Sequence, residues 1–295
     1  MLNFRKIIPA DRPILAPYLR SAGNRACEDT FPYLCLWGEQ SVCTDYDVPL
    51  IFGTVDHVTS YALPLRGDRA ALIELLRRDA QARGIPFRLY CLLKDDLDLF
   101  ETAFPGRFRF LPVREYYDYI YSIDRLCDLH GKSLQSKRNF CNRFEAEHPD
   151  YRLLPLTGDL LPRCAAFTSL WYERHGESGE DYREEQTALE RAFADFDALG
   201  LEGAVIEDGG TILAYAIGSR ISDDTFGIHF EKAMADVPGA YPIINREYAR
   251  SIRERHPDVR LLNREDDMGL PGLRKAKESY QPDILLEKGL AEEIV

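Results

Sequence analysis

The sequence predicts an α/β (α+β) protein built from two tandem modules, each a mixed, mostly antiparallel sheet flanked by helices. Three observations predict it. Strand-length apolar runs alternate with amphipathic helical patterns through 295 residues, a length that suits two domains or one large one. A run of three strands joined by short turns occurs twice, each time leading into a helix and a further strand. The composition, 45% hydrophobic and 29% charged, is that of an ordinary globular chain and excludes a disordered, collagenous or fibrous protein.

The first module is expected at residues 1–122. A strand from Phe4 to Ile8 precedes a helix from Asp11 to Ser21, with Pro13 in its first turn. A short helix follows from Phe31 to Trp37. Strands at 42–46, 50–54 and 58–63 are separated by Asp47-Val48-Pro49 and Asp56-His57. Asp68 caps a helix that Gly84 stops, with Ala71, Leu72, Leu75 and Leu76 on one face. A strand at 87–92, a helix at 94–103 and strands at 107–111 and 116–121 complete the module.

The second module, residues 123–295, repeats this order after an inserted basic helix at 133–148, which Pro149 stops. A strand at 151–155 leads into helices at 160–175 and 184–199. Strands at 201–207 and 211–220 form a hairpin across Asp208-Gly209-Gly210, the strongest turn signal in the chain. A strand at 225–231, a helix at 241–255, a strand at 259–262, a helix at 271–280 and a strand at 284–287 follow. Both halves therefore read β-α-α-β-β-β-α-β-α-β. The repeat is one of element order, not of residues.

That order resembles the GCN5-related acetyltransferase (GNAT, acyl-CoA N-acyltransferase-like) fold, here twice in tandem. Two motifs narrow the resemblance. Lys137-Arg138-Asn139-Phe140-Cys141-Asn142-Arg143-Phe144 and Asn263-Arg264-Glu265-Asp266, the latter followed by Gly269 to Tyr280, resemble the signatures of a bacterial domain family. That family is related to the catalytic C-terminal domain of phosphatidylglycerol lysyltransferases. The resemblance implies a transferase that moves an acyl or aminoacyl group from an activated donor, aminoacyl-tRNA or acyl-CoA, to an amine or hydroxyl. The lipid enzymes of that group carry a membrane-embedded N-terminal portion, and no such stretch is present in this sequence.

Charge and apolar runs bound the partners. Lys and Arg number 37 and Asp and Glu 49, a net charge of −12, which disfavours a general DNA- or membrane-coating role. No run approaches the roughly 20 apolar residues of a membrane span, and the N-terminus lacks a signal-peptide core. The expectation is a cytoplasmic protein without a transmembrane segment. Seven cysteines without a Cys-x-x-Cys read as free buried thiols. The histidines show no zinc-ligand spacing, so no metal is expected. P-loop, Rossmann, α/β-hydrolase and zincin motifs are absent.

Against that acidic background, Lys132, Lys137, Arg138 and Arg143 lie together with no acid from Gly131 to Phe144. Leu134, Phe140, Cys141 and Phe144 form one helical stripe, with Lys137 near its middle. Such a helix is either a solvated basic face with Lys137 snorkelling or a binder of tRNA or another phosphate-bearing donor. In the second reading Lys137 and Arg138 meet phosphates and Asn142 adds a neutral hydrogen bond.

On the 225–231 strand, simple alternation puts Phe226, Ile228 and Phe230 on one face and Thr225, Gly227, His229 and Glu231 on the other, with His229 and Glu231 roughly 7 Å apart. Either could take the proton of an attacking amine; the alternative is an ordinary polar sheet face. The following loop, 232–239, has a single glycine, two flanking prolines and Asp236. It lacks the clustered glycines with which acetyl-CoA enzymes cradle a pyrophosphate.

Asn263, Glu265 and Asp266 follow a short strand, and a carboxylate cluster there suits an amino group. It also suits the N-terminal end of the next helix. Lys275 could bind substrate or lie on that helix's polar face. Tyr280 is either core or a phenol that donates to a leaving oxygen. The reading is an acyl- or aminoacyltransferase with its cleft in the second module. The alternatives are an acyl-CoA N-acyltransferase acting on a small amine and a non-catalytic module that binds an amino-acid-like or anionic ligand.

Overall fold

The computed structural model describes residues 1–20, 22–55, 57–175 and 180–294; Ser21 and Asp56, at an expected helix end and an expected turn, lie outside them. The first half contains β1 (Arg5–Lys6), α1 (Arg12–Arg20), α2 (Phe31–Leu36), β2 (Glu39–Cys43), β3 (Leu50–Val55), β4 (Val58–Ala62), α3 (Arg69–Arg83), β5 (Arg88–Leu93), α4 (Leu97–Ala103), β6 (Phe108–Pro112) and β7 (Asp118–Ser122). The local signals act as expected at α3. Asp68 accepts from the Ala71 N–H at 3.1 Å, and Gly84 closes the helix at a φ of 69°. Its buried stripe is Ile73, Leu76 and Ala80, while Ala71 is exposed. The helix is therefore turned slightly from the face that its leucines suggest.

The second half begins with a short helix the sequence pattern does not mark, α5 (Ile123–Asp128). It continues with α6 (Gln135–Glu147), β8 (Arg152–Pro155), α7 (Leu160–His175), α8 (Glu180–Ala194), α9 (Phe196–Leu199), β9 (Glu202–Asp208), β10 (Thr211–Arg220), β11 (Thr225–Ala233), α10 (Ala240–Arg255), β12 (Leu261–Asn263), α11 (Pro271–Glu278), β13 (Ile284–Leu286) and β14 (Lys288–Glu293). Gly209 and Gly210, both at positive φ, make the tight turn between β9 and β10. The strand β14 is not among the sequence expectations.

These strands form two seven-stranded sheets, β1-β2-β3-β4-β5-β14-β6 and β13-β7-β12-β11-β10-β9-β8. Read from its own first strand, each half follows the same order, with its sixth position filled by the other half's last strand. Strand β14 pairs with β5 and β6 in the first sheet, and β7 pairs with β12 and β13 in the second. Sheet membership thus crosses residue 122 in both directions. All pairings are antiparallel except β4 with β5 and β11 with β12.

Helices cover both sheets, as the predicted class requires. One core lies between the second sheet and α5, α6 and α10, around Tyr119, Phe226 and Tyr248. A second joins the halves, with Val42 and Ile51 of the first sheet meeting Tyr215 and Phe230 of the second through α1, α2, α7 and α8. A third packs α3 and α4 on the first sheet. No helix among the described residues is long and apolar enough to cross a membrane.

Candidate functional site

The parallel pairing of β11 with β12 ends at Gly227 opposite Asn263. Beyond that point the two chains diverge. Strand β11 continues to Ala233, while Arg264 and Glu265 turn onto β7: the Arg264 N–H donates to the Tyr119 carbonyl at 2.9 Å, and the Tyr119 N–H to the Glu265 carbonyl at 3.1 Å. Glu265 sits at a φ of 59°, a left-handed conformation that is costly outside glycine and asparagine. Asn263 helps to hold it there, its Oδ1 accepting from the Glu265 N–H at 2.6 Å. The result is a wedge beside β11 lined by residues 263–267.

His229 and Glu231 do not share a face of that strand. In the pairing of β10 with β11, Ile217 opposes Phe230 and Gly218 opposes Ile228, so His229 is the extra residue of a β-bulge. The bulge resets the alternation. Phe226 and Ile228 pack in the core under α10, whereas Phe230 packs in the core between the halves. Gly218 is required here, because a Cβ on it would lie 2.1 Å from the Gly227 carbonyl oxygen.

On the inter-half face His229 bridges two partners. Its Nδ1 lies 2.7 Å from Glu265 Oε1 and its Nε2 2.7 Å from Ser219 Oγ. The imidazole is 1% exposed, so it is sealed from any substrate in this conformation. On the opposite face Glu231 meets α10 and the wedge. Its Oε1 accepts from Arg264 Nη2 at 3.0 Å and its Oε2 from Asn245 Nδ2 at 3.1 Å. The Arg264 guanidinium lies 4.8 Å from the centre of the Tyr280 ring, and Lys137 Nζ lies 4.3 Å from the same centre. Burial, and then the nearby Arg264 charge, lower the Lys137 pKa while Glu231 opposes them. Burial raises the Tyr280 phenol.

Three polar atoms in this group have no hydrogen-bond partner among the described residues. Arg264 Nη1 and Asn245 Oδ1 are buried and unpaired, and Lys137 has only its contact with Tyr280. Buried polar atoms are almost always paired.

A family model described as phosphatidylglycerol lysyltransferase, C-terminal, matches residues 20–291. The chain belongs to that family. It is similar to a conserved protein of unknown function from Bacteroides thetaiotaomicron, at 34% identity over 100% of both chains with a TM-score of 0.93. The fold is shared with L-PGS from Bacillus licheniformis, at 17% identity over 94% of this chain and 90% of that one, TM-score 0.66. It is also shared with FemX, at 12% identity over 100% and 98%, TM-score 0.62. The chain spans about half the length of a curated relative it matches, an uncharacterized protein of Mycoplasmoides gallisepticum, 26% identical over 192 residues that make up 60% of this chain and 56% of that protein. The architecture is a tandem GNAT-like fold, and the family is one of acyl- and aminoacyltransferases.

In this member of the phosphatidylglycerol lysyltransferase C-terminal family, the two sequence motifs meet at Tyr280, where Lys137 of the first joins Arg264 of the second. Other motif residues point elsewhere. Arg138 Nη1 donates to the carbonyls of Leu129 and Gly131, closing the loop before α6. Asn142 and Lys275 are exposed. Phe140, at the margin of the expected stripe, is 45% exposed, while Leu134, Cys141 and Phe144 are buried. Asn263 is buried and donates to the Arg25 carbonyl at 2.7 Å and to Asp118 Oδ2 at 2.8 Å. Asp266 accepts from the Met268 N–H at 3.0 Å, and burial raises its carboxyl to about 7.

The acidic run 265–267 is therefore split three ways, with Asp267 the structural member. Burial alone would raise its carboxyl, but Arg274, Tyr119 and the Gly269 N–H hold it down at about 2. This folded value lies below the unfolded one of about 3.9. Asp267 thus stabilises the fold above about pH 4, and that contribution is lost as pH falls towards 2. Asp267→Asn is expected to cost about 2 kcal/mol at pH 7. In urea unfolding, the gap to the wild type should close between about pH 4 and pH 2.

Sequence reading took Arg264 only as part of the second motif, not as a site residue, and missed Asn245, Ser219 and Lys277. Asn245 carried a usable signal: it is a polar residue set among Ile243, Ile244, Tyr248 and Ala249, and with Arg246 it is one of two polar residues buried on α10. Lys277 fixes the wedge, its Nζ donating to the Arg264 carbonyl at 2.5 Å and to that of Asp266.

The start of α10, where a pyrophosphate would approach, is covered. Its N-cap Gly239 has a φ of 87°, and a Cβ there would lie 2.4 Å from the Phe140 carbonyl oxygen of α6. Gly239→Ala is expected to destabilise the protein by about 1–3 kcal/mol, read as a lower melting temperature. A cation already occupies the one group of metal-type ligands found among the described residues, Cys27, Asp118 and Asp266. Lys288 Nζ lies 2.8 Å from Asp118 Oδ1 and 3.5 Å from Cys27 Sγ.

Proposed function

We propose that this protein transfers an acyl or aminoacyl group from an activated ester to an amine or hydroxyl, in the wedge between β11 and β12. The unpaired Arg264 Nη1, Asn245 Oδ1 and Lys137 Nζ around Glu231 carry the reading. They form a set of donors and an acceptor beside a carboxylate, suited to a ligand with a carbonyl and an N–H or O–H group. The acceptor attacks the ester carbonyl, and Glu231 takes its proton. Arg264 and Lys137 stabilise the oxyanion. The bond from the acyl carbon to the carrier oxygen breaks, and the Tyr280 phenol protonates that oxygen. Glu231 then returns its proton to Tyr280. In this reading His229, Glu265 and Lys277 position residues 264–266 and do not touch the substrate.

The covered start of α10 favours an aminoacyl ester over acyl-CoA as donor, because α6 packs against the Gly239 N-cap that a pyrophosphate would have to reach. The test is transfer from radiolabelled aminoacyl-tRNA or acyl-CoA to a panel of amines and polyols. Transfer from aminoacyl-tRNA alone is expected. Turnover with acyl-CoA alone would replace the donor, and none with either would remove the enzyme reading. Lys137→Met is expected to lower kcat/KM by on the order of tenfold to a hundredfold through loss of one oxyanion contact, measured in the same assay.

A further inference from the structure

The first sheet has its own divergence of parallel strands, and it holds a pocket of a different character. Strands β4 and β5 pair at Tyr61 with Leu89 and Ala62 with Tyr90. Past Ala62 the chain leaves as Leu63-Pro64-Leu65, and Cys91 takes a φ of 57°. Between them lies a cavity of about 20 Å³, room for one or two water-sized groups. Its walls include Leu34, Leu50 and Leu63, and Glu28, Asp29, Tyr90 and Asp96 also line it, with no lysine, arginine or histidine among its lining residues.

Two of these acids have cations elsewhere. Glu28 meets Lys288 at 2.6 Å, and Asp96 meets Arg69 at 2.5 Å. Among the described residues Asp29 has only the Asn24 amide, at 2.9 Å, and burial pushes its carboxyl up to about 7. An independent sign of a missing ligand is Tyr90. Its hydroxyl is sealed from solvent and has no hydrogen-bond partner among the described residues, an uncommon state for a buried polar atom. Neutral donors would serve Tyr90 but leave Asp29 uncompensated, whereas an ammonium serves both.

We propose that this pocket binds a small primary ammonium group, held by Asp29 and the Tyr90 hydroxyl, with the leucine walls against the carbon that bears it. The site is separate from the wedge around Glu231 and does not rest on the transferase reading. The test is calorimetric titration of methylammonium chloride, whose two heavy atoms match the cavity, into the chain carrying Glu231→Gln, so that Glu231 cannot supply the anion. Binding is expected there, about tenfold weaker when Asp29→Asn is added and about threefold weaker with Tyr90→Phe. Methanol, which has nearly the same shape without the charge, should bind about tenfold more weakly than methylammonium. Absence of methylammonium binding, equal affinity for methanol, or an affinity unmoved by both substitutions overturns the proposal. The methanol comparison and Tyr90→Phe decide the matter if Asp29→Asn fails to fold.

Discussion

Replacing Lys288 with alanine is expected to destabilise the protein by about 3–5 kcal/mol at pH 7, a large share of a typical domain's stability. The Lys288 ammonium is fully buried. It donates to Glu28 at 2.6 and 2.7 Å and to Asp118 at 2.8 Å. Lys288 opens β14 and Asp118 opens β7, so the two exchanged strands are pinned to each other through their equivalent first residues. Removing the cation leaves two carboxylates facing each other without water, and they must either repel or take up protons. Urea unfolding followed by circular dichroism measures the loss. It should shrink as pH falls and Glu28, whose carboxyl burial raises, takes up a proton. The triple variant Glu28→Gln, Asp118→Asn, Lys288→Met should recover much of the loss, because a neutral cluster has no charge to compensate. A cost below about 1 kcal/mol for Lys288→Ala would show that the cluster does not join the halves.

The same exchange shows where sequence reading ran out. Local signals sufficed where local physics decides: Asp68 and Gly84 bound α3, and the Gly209-Gly210 turn set the hairpin whose second strand runs from Thr211 to Arg220. Strand β14 escaped because Lys288-Gly289-Leu290-Ala291-Glu292-Glu293 has little β propensity of its own. Its place depends on distant partners: Lys288 on Glu28 and Asp118, and Glu292 on Arg88 and Arg109 at 2.7 and 2.8 Å. The alternation argument placed His229 beside Glu231 because it assumed an unbroken period of two. A bulge is one residue of register, set by the neighbouring strand and by the contact at Gly218, and β11 alone does not carry it. In the wedge, Lys137 was legible as a charge within an apolar stripe. The pairing of Arg264 with Glu231 was not, since it depends on the turn that Glu265 makes at positive φ.

Glu231→Gln is expected to lower kcat by on the order of 10²-fold or more in the transfer assay, the range typical of a lost general base. The amide keeps the shape and can still accept from Arg264 or Asn245, but Arg264 loses its countercharge, so the melting temperature should fall as well. The pH profile of kcat is the informative measurement, because it separates two possible uses of Glu231. If it only neutralised the buried Arg264, the substitution would lower stability and leave the pH profile of kcat unchanged in shape. If it takes the acceptor's proton, the acid limb of that profile should disappear together with the rate. Arg264→Lys provides the complement. A lysine keeps the charge but loses the planar fork that serves Glu231 with one nitrogen and leaves the other for substrate. It should lower kcat/KM while the acid limb remains. An intact acid limb in Glu231→Gln would move the base elsewhere, and the sealed pair of His229 and Ser219 would be reached only by opening the wedge.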